Sequence, residues 1–175
     1  MIFIGYPGVG KTTLAANNIN FIDLESSNFW YTVKGELVKD EHWYLAYCNI
    51  AESLSAQGYD VFVSSHKLVT ERLAISNQKV VGIYPTEQLK DYWVEKLRQR
   101  AAESGSDKDM RALERVQSHF LEDIAEIKNN TLEHIEIQTA RYNLDMLIHN
   151  YQKRVGAARK EALYDERGVA RYTRV

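Results

Sequence analysis

Eight residues constrain this chain more than any others. Gly5-Tyr6-Pro7-Gly8-Val9-Gly10-Lys11-Thr12 fits the pattern G-x-x-x-x-G-K-[ST] at every fixed position. An apolar run, Met1 to Ile4, precedes it, and Thr13-Leu14-Ala15-Ala16 reads as the first turn of a helix. Strand, loop and helix in that order are the context the pattern needs. Glycines let the backbone bend so that successive N–H groups converge, and a helix N-terminus adds the positive end of its dipole. The loop is therefore expected to cradle phosphate. Lys11 would reach the β- and γ-phosphates of a nucleotide, and the Thr12 hydroxyl would hold Mg²⁺.

With 175 residues, 45% of them hydrophobic and 26% charged, the chain can bury one core, and a single domain over 1–175 is expected. Its apolar runs fall far short of a membrane span, and no basic segment precedes a signal-like apolar stretch. The first strand is expected to begin at Met1, which leaves no room for a leader. Cys48 is the single cysteine, which excludes an internal disulfide and a cysteine zinc cluster. Together these point to the cytoplasm. The net charge of −2 suggests attraction to neither nucleic acid nor membrane. Residues 151–175 nevertheless hold seven Lys/Arg against three Asp/Glu, a basic tail that could touch nucleic acid or simply be solvated.

A first helix is expected over 11–18 and a second strand over 20–24, ending in the polar cluster Asp23, Glu25, Ser26, Ser27 and Asn28. Ligands of parallel sheets sit beyond the carboxyl ends of the strands, which places these acids well for chemistry. Phe29, Trp30 and Tyr31 are either a stacking wall for a base or a cap on the core. Helical spacing of Trp43, Tyr47, Ile50, Ala51 and Leu54 predicts a helix over 40–57, closed by Gly58. Strands follow at 60–65 and 79–84, with a helix bearing Arg72 between them. Thr86 is expected to cap a helix reaching about Glu103, and Ser104-Gly105-Ser106-Asp107 separates it from another at 107–127. A fifth strand at 132–137 and a helix near 140–153 complete an α/β sheet covered on both faces.

Arg98, Arg100, Arg111 and Arg115 bracket the polar break at Gly105, as on a hinged flap. Guanidinium forks suit the charge spread over a moving phosphoryl group. The same residues could instead be solvated charges paired with Glu95, Glu103 or Glu114.

In its phosphate loop and in its order of elements the chain resembles the nucleoside monophosphate kinase group of P-loop proteins, in particular guanylate kinase and phage-type deoxynucleotide kinases. The resemblance implies a three-layer α/β/α fold with a five-stranded parallel sheet and a small helical lid at about 86–127. It also implies ATP-dependent transfer of the γ-phosphoryl group to a nucleotide monophosphate. Carried over by position, Gly8, Val9, Gly10, Lys11, Thr12 and Thr13 hold the ATP phosphates, with Lys11 stabilising the transferred group. Arg98 and Arg100 fall where the lid begins, and Arg111 and Arg115 fall on the returning helix. Arg72 falls near an arginine that holds the acceptor's phosphate, with Glu25 and Phe29 beside the acceptor.

The chain departs from that group in two places. Its third strand ends in Ser64-Ser65-His66 where such kinases usually carry an acid for Mg²⁺. Either Asp23 or Glu25 takes that duty, or Thr12 and the phosphates hold the metal. The tyrosine and serine pattern that holds guanine is missing, which leaves the acceptor base open. P-loop kinases that phosphorylate a hydroxyl place a general base just after the second strand, where Asp23 and Glu25 stand here. A hydroxyl acceptor on a nucleoside, a polynucleotide 5′ end or a small molecule is thus a second expectation. An ATP-binding switch acting through partners is a third. His42, His119, His134 and His149 show no ligand spacing, so no transition-metal site is expected.

Overall fold

Ile2, Phe3, Ile4 and Gly5 are all buried, the signature of a strand with neighbours on both edges and cover on both faces. The computed structural model of the chain describes residues 1–33, 36–38 and 40–163. In chain order, Ile2–Gly5 is β1, Lys11–Asn17 is α1 and Phe21–Asp23 is β2. A 3-10 turn, Ser26–Phe29, leads to β3 (Tyr31–Val33) and β4 (Glu36–Val38), and α2 covers Trp43–Ala56. Next come β5 (Asp60–Ser64), α3 (Lys67–Ala74) and β6 (Val80–Pro85). The 3-10 turn Glu87–Leu89 introduces α4 (Lys90–Ser104), followed by α5 (Asp107–Asn130), β7 (Glu133–Ile137) and α6 (Leu144–Leu163).

The main sheet has five strands in the order β2-β5-β1-β6-β7, and all its pairings are parallel. β1 sits at its centre, with Ile2 opposite Val61 on β5 and Val80 on β6. Such an α/β arrangement is compatible with three layers, and the five expected strands all lie in this sheet. The direction of winding along the sheet reverses at β1, although every strand runs the same way. The connection from β1 runs outward to β2, and the connection from β5 runs past β1 to β6. A crevice therefore opens at the carboxyl ends of β1 and β5, the place where open parallel sheets bind ligands.

Phe3, Phe21 and Phe62 form an aromatic core on neighbouring strands, with Phe21 stacked on Phe62 at 5.3 Å between centroids. α2 packs on β5 and β1, α5 packs on β6, and α3 touches both helices. Gly82 is where α5 comes closest: a Cβ there would fall 2.6 Å from Ile127 and 2.8 Å from the Thr131 hydroxyl. Cys48 is buried on α2, and burial pushes its thiol up to about 12.

Three local features differ from the sequence expectations. β3 and β4 pair antiparallel as a separate small ribbon, with Tyr31 opposite Val38. Thr86 precedes a 3-10 turn rather than α4 itself, and its side chain makes no capping bond. Its amide instead donates to the Ile137 carbonyl at 2.9 Å, which aligns it with β7. α5 runs longer than expected and carries a break at His119, where φ is −128° and ψ is 25°.

Compact packing unites residues Met1–Arg141, and Tyr142–Val175 form a second unit. The described part of the second unit is α6, whose first turn is capped by the Asn143 side chain accepting from the Met146 amide at 3.0 Å. Leu144, Ile148 and Tyr151 are buried at helical spacing. The basic tail expected within 151–175 lies outside the described residues from 164 onward. Among the described residues, no helix is long and apolar enough to cross a membrane.

Candidate functional site

Glycine at two positions shapes the loop after β1. Gly8 has φ of 83° and Gly10 has φ of 99°, left-handed conformations that cost side-chain-bearing residues extra energy. Gly10 is also the N-cap of α1. The turn aims Lys11 back across the strand end. A Cβ on Gly5 would lie 2.6 Å from the Lys11 side chain, so glycine is what lets the lysine fold over. The Lys11 ammonium donates to the carbonyl oxygens of Gly5 at 2.9 Å and Tyr6 at 3.5 Å. Burial lowers this ammonium to about 8, with Asp23 and Glu25 pulling the other way.

Lys11 stands in a cleft of about 150 Å³ at the crevice foreseen from the strand order. Its lining comes from three strand ends: Gly5, Pro7, Gly8, Lys11 and Thr12 after β1, Asp23 to Ser26 after β2, and Ser64 to His66 after β5. Arg100, Lys108 and Arg115 reach it from α4 and α5. Whole-ligand pockets usually measure roughly 300–1,000 Å³. A cleft of this size suits the charged end of a ligand rather than all of it.

Two carboxylates line the cleft, each engaged. The Thr12 hydroxyl donates to Asp23 Oδ2 at 2.5 Å. Glu25 pairs with the Lys108 ammonium from the first turn of α5 and also receives the Ser27 amide at 3.4 Å and hydroxyl at 3.3 Å. Burial raises the Glu25 pKa, but Lys108 and Ser27 outweigh it and hold the carboxyl below its usual range.

Four cations converge on the same space, and each rests on an internal acceptor. Lys11 rests on carbonyls, Lys108 on Glu25, Arg100 on Asp109 at 2.7 Å, and Arg115 on Asp123. Asp109 belongs to the capped start of α5, where the Ser106 side chain accepts from its amide at 3.2 Å. With Asp23 and Glu25 the only lining carboxylates, the cleft holds four positive and two negative side chains. Asp109 and Asp123 behind the two arginines offset the remaining charge, so what the cleft offers an anion is a set of oriented donors rather than surplus positive charge.

The floor is neutral. Ser26 and Ser65 are buried, the Ser64 hydroxyl is enclosed without a hydrogen-bond partner among the described residues, and Ser26 Oγ lies 3.5 Å from His66 Nε2. Tyr47 of α2 fixes these strand ends together: its hydroxyl donates to the Leu24 carbonyl at 2.7 Å and accepts from the Ser64 amide at 2.8 Å.

Other expected residues lie elsewhere. Val9 is buried, and neither it nor Gly10 nor Thr13 is among the lining residues. Arg98 is exposed and paired with Glu95, one helical turn away. Arg111 borders a separate shallow groove with Met110, Leu113 and Gln117. Arg72 is held by Glu52 at 3.0 Å and by Asn49 at 3.3 Å, against α2. Phe29 sets its ring edge-on to Tyr47 at 5.1 Å, and Trp30 does the same to Trp43 at 6.3 Å, so these two cap the core. Lys108 and Asp123 were not singled out by sequence. Lys108 stands seven residues before Arg115, a spacing that puts two cations on one helical face and could have revealed it.

A divalent hard cation would find oxygen donors at Thr12 and Asp23, one of them anionic, and this fits Mg²⁺, which takes few protein ligands and completes its shell with water and phosphate. Among the described residues, no three or more His, Cys, Asp or Glu side chains gather as a metal centre. No protein-family model matches the chain, and no curated protein matches it either.

Proposed function

We propose that the chain is a P-loop nucleotide kinase that transfers the γ-phosphoryl group of ATP to a (deoxy)nucleoside monophosphate, giving ADP and the diphosphate. One observation carries this reading. Lys11 and Thr12 of the glycine-rich loop share a cleft with Arg100, Lys108 and Arg115, which come from the α4–α5 hairpin. A loop that holds phosphates supports nucleotide binding, and extra cations facing it support transfer rather than binding alone. Phosphoryl transfer asks little covalent chemistry of a protein and depends on positioning and on neutralising spread negative charge.

Bound polyphosphate would draw the Lys11 ammonium away from the Gly5 and Tyr6 carbonyls and replace them as its partner. Thr12 and Asp23 would hold Mg²⁺, which supplies charge neutralisation at the phosphate oxygens. Arg100 and Arg115 would stabilise charge on the transferred group. Their helices close over the cleft mouth and limit water, which protects ATP from hydrolysis.

Asp23 favours a second reading. It lines the cleft as a carboxylate, and a hydroxyl acceptor needs a base there whereas an ionised phosphate acceptor does not. The experiment is ADP release from Mg-ATP across ribo- and deoxynucleoside monophosphates, nucleosides and a 5′-hydroxyl oligonucleotide. Strong stimulation by one monophosphate is the expected result. Stimulation by hydroxyl compounds alone would transfer the role of base to Asp23. Nucleotide binding without stimulation by any acceptor would leave an ATP-binding switch.

A further inference from the structure

We infer that Asp123 is a positioning residue whose buried carboxylate holds the Arg115 guanidinium ready for the polyphosphate of a bound nucleotide. The inference rests on the kinase reading of the cleft. Asp123 takes Arg115 by two bonds, Nε to Oδ2 at 2.8 Å and Nη2 to Oδ1 at 2.5 Å. This is the fork-on-fork geometry that fixes a guanidinium plane rather than merely attracting its charge.

The spacing makes the contact unusual. Residues eight apart on an unbroken α-helix are separated by about 12 Å along the axis. Arg115 and Asp123 meet because α5 breaks between them at His119. The break thus has a stated consequence: it turns a side chain that would stand two turns away into a direct partner.

Burial separates this pair from a surface ion pair. Asp123 is 4% exposed and shares the inward face of α5 with Val116, Phe120, Ile124 and Ile127. An apolar residue would serve stability at that position as well or better, since desolvating a carboxylate offsets much of what its partner returns. Orientation is what an apolar residue could not supply. Arg115 itself remains 46% exposed on its side chain and lines the cleft beside Lys11. Two of its five N–H donors point at Asp123, which leaves three for a ligand anion. Held in advance, the arginine loses less rotamer freedom when phosphate arrives, and affinity gains accordingly.

The glycine-rich loop reaches the same junction. The Tyr6 ring packs edge-on to Phe120 at 5.5 Å, one turn before Asp123. Its hydroxyl is buried without a hydrogen-bond partner among the described residues. Loop, break and ion pair therefore meet at one point.

The test is a double-mutant cycle on Mg-ATP affinity by titration calorimetry, with wild type, Asp123→Asn, Arg115→Gln and the double variant, each also melted thermally. Asp123→Asn and Arg115→Gln are each expected to weaken Mg-ATP binding about tenfold, and the double variant to be no weaker than Arg115→Gln, as for residues in direct contact. The double variant buries no charge, so it reports even where a single variant folds poorly. A structural role alone would lower the melting temperature and leave affinity unchanged. Wild-type affinity in Asp123→Asn, or losses that multiply in the double variant, would overturn the positioning role while the kinase reading stands. A wild-type chain that does not bind Mg-ATP would overturn both.

Discussion

The indole N–H of Trp93 donates to the carbonyl oxygen of Pro7 at 2.7 Å, across 86 residues of chain. Trp93 is fully buried near the start of α4, and Pro7 lies in the glycine-rich loop. Around this bond the Tyr6 and Trp93 rings meet edge to face at 6.4 Å. A Cβ on Gly8 would stand 3.1 Å from Leu97 and 3.2 Å from the Trp93 indole nitrogen. The base of α4 thus acts as a mould for the loop.

Trp93→Phe tests that mould. A six-membered ring remains, but the N–H donor and the rest of the indole go, which leaves the Pro7 carbonyl without this partner and a void in a fully buried site. We expect a loss of about 2–4 kcal/mol in stability, from orphaning one enclosed partner and from the void left by the indole. Mg-ATP affinity should fall as well, because the loop relaxes. Thermal melting and nucleotide titration measure the two effects, and a variant that matches wild type in both would show the bond to be incidental.

Lys11 makes the cleft sensitive to pH. Its ammonium is lowered by burial to about 8, against 10.5 for an ordinary lysine. Between those values the unfolded chain holds a proton that the folded chain has released, so this group makes the fold more stable as pH rises from about 8 to 10.5. A bound polyphosphate reverses the shift by favouring the charged form. At pH 8.5, Mg-ATP binding should therefore take up protons, and Lys11→Met should abolish the uptake. Calorimetry in two buffers of different ionisation enthalpy reads it directly, and zero uptake by the wild type would contradict the ammonium's role.

Arg98 and Arg100 should separate by function. Arg98→Ala removes an exposed charge paired with Glu95 and should leave acceptor-dependent ADP release within about twofold of wild type, as surface pairs contribute little. Arg100 lines the cleft, pairs with Asp109 and has its Nε enclosed without a hydrogen-bond partner among the described residues. Arg100→Ala should lower the rate by roughly 10²-fold, the scale of losing one donor to a developing anion. Equal effects from the two substitutions would place the cleft on the wrong face of α4.

Much of this architecture was legible because buried parallel strands are written as short apolar runs. Ile2-Phe3-Ile4, Val61-Phe62-Val63 and Val80-Val81 announce themselves, and the loop after β1 carries its own pattern. What the chain does not announce is azimuth. Arg98 and Arg100 lie two residues apart, about 200° around a helix, so one of them must miss the cleft. Sequence could not choose between them, because the choice depends on how Trp93 and Leu97 seat α4. Arg111 stands three residues from Lys108, on nearly the same face of α5, so helical spacing alone could not exclude it from the cleft. The break at His119 has no proline or glycine within it to signal it, so the meeting of Arg115 with Asp123 could not be read from spacing. The β3–β4 ribbon was not legible because its strands are three residues each, too short for a period-2 alternation to stand out.

The place of β1 between β5 and β6 reaches beyond geometry to the assembly of the molecule. Its two neighbours are drawn from 59 and 78 residues further along, from Ile2 to Val61 and to Val80. Each of its pairings requires a long loop to close first, which makes the topology a slow one to fold. A fragment ending before residue 60 would contain the whole glycine-rich motif and have nothing against which to set it. The anion-holding role proposed for those eight residues could therefore not be excised or transplanted with them, because their setting arrives only when the sheet closes.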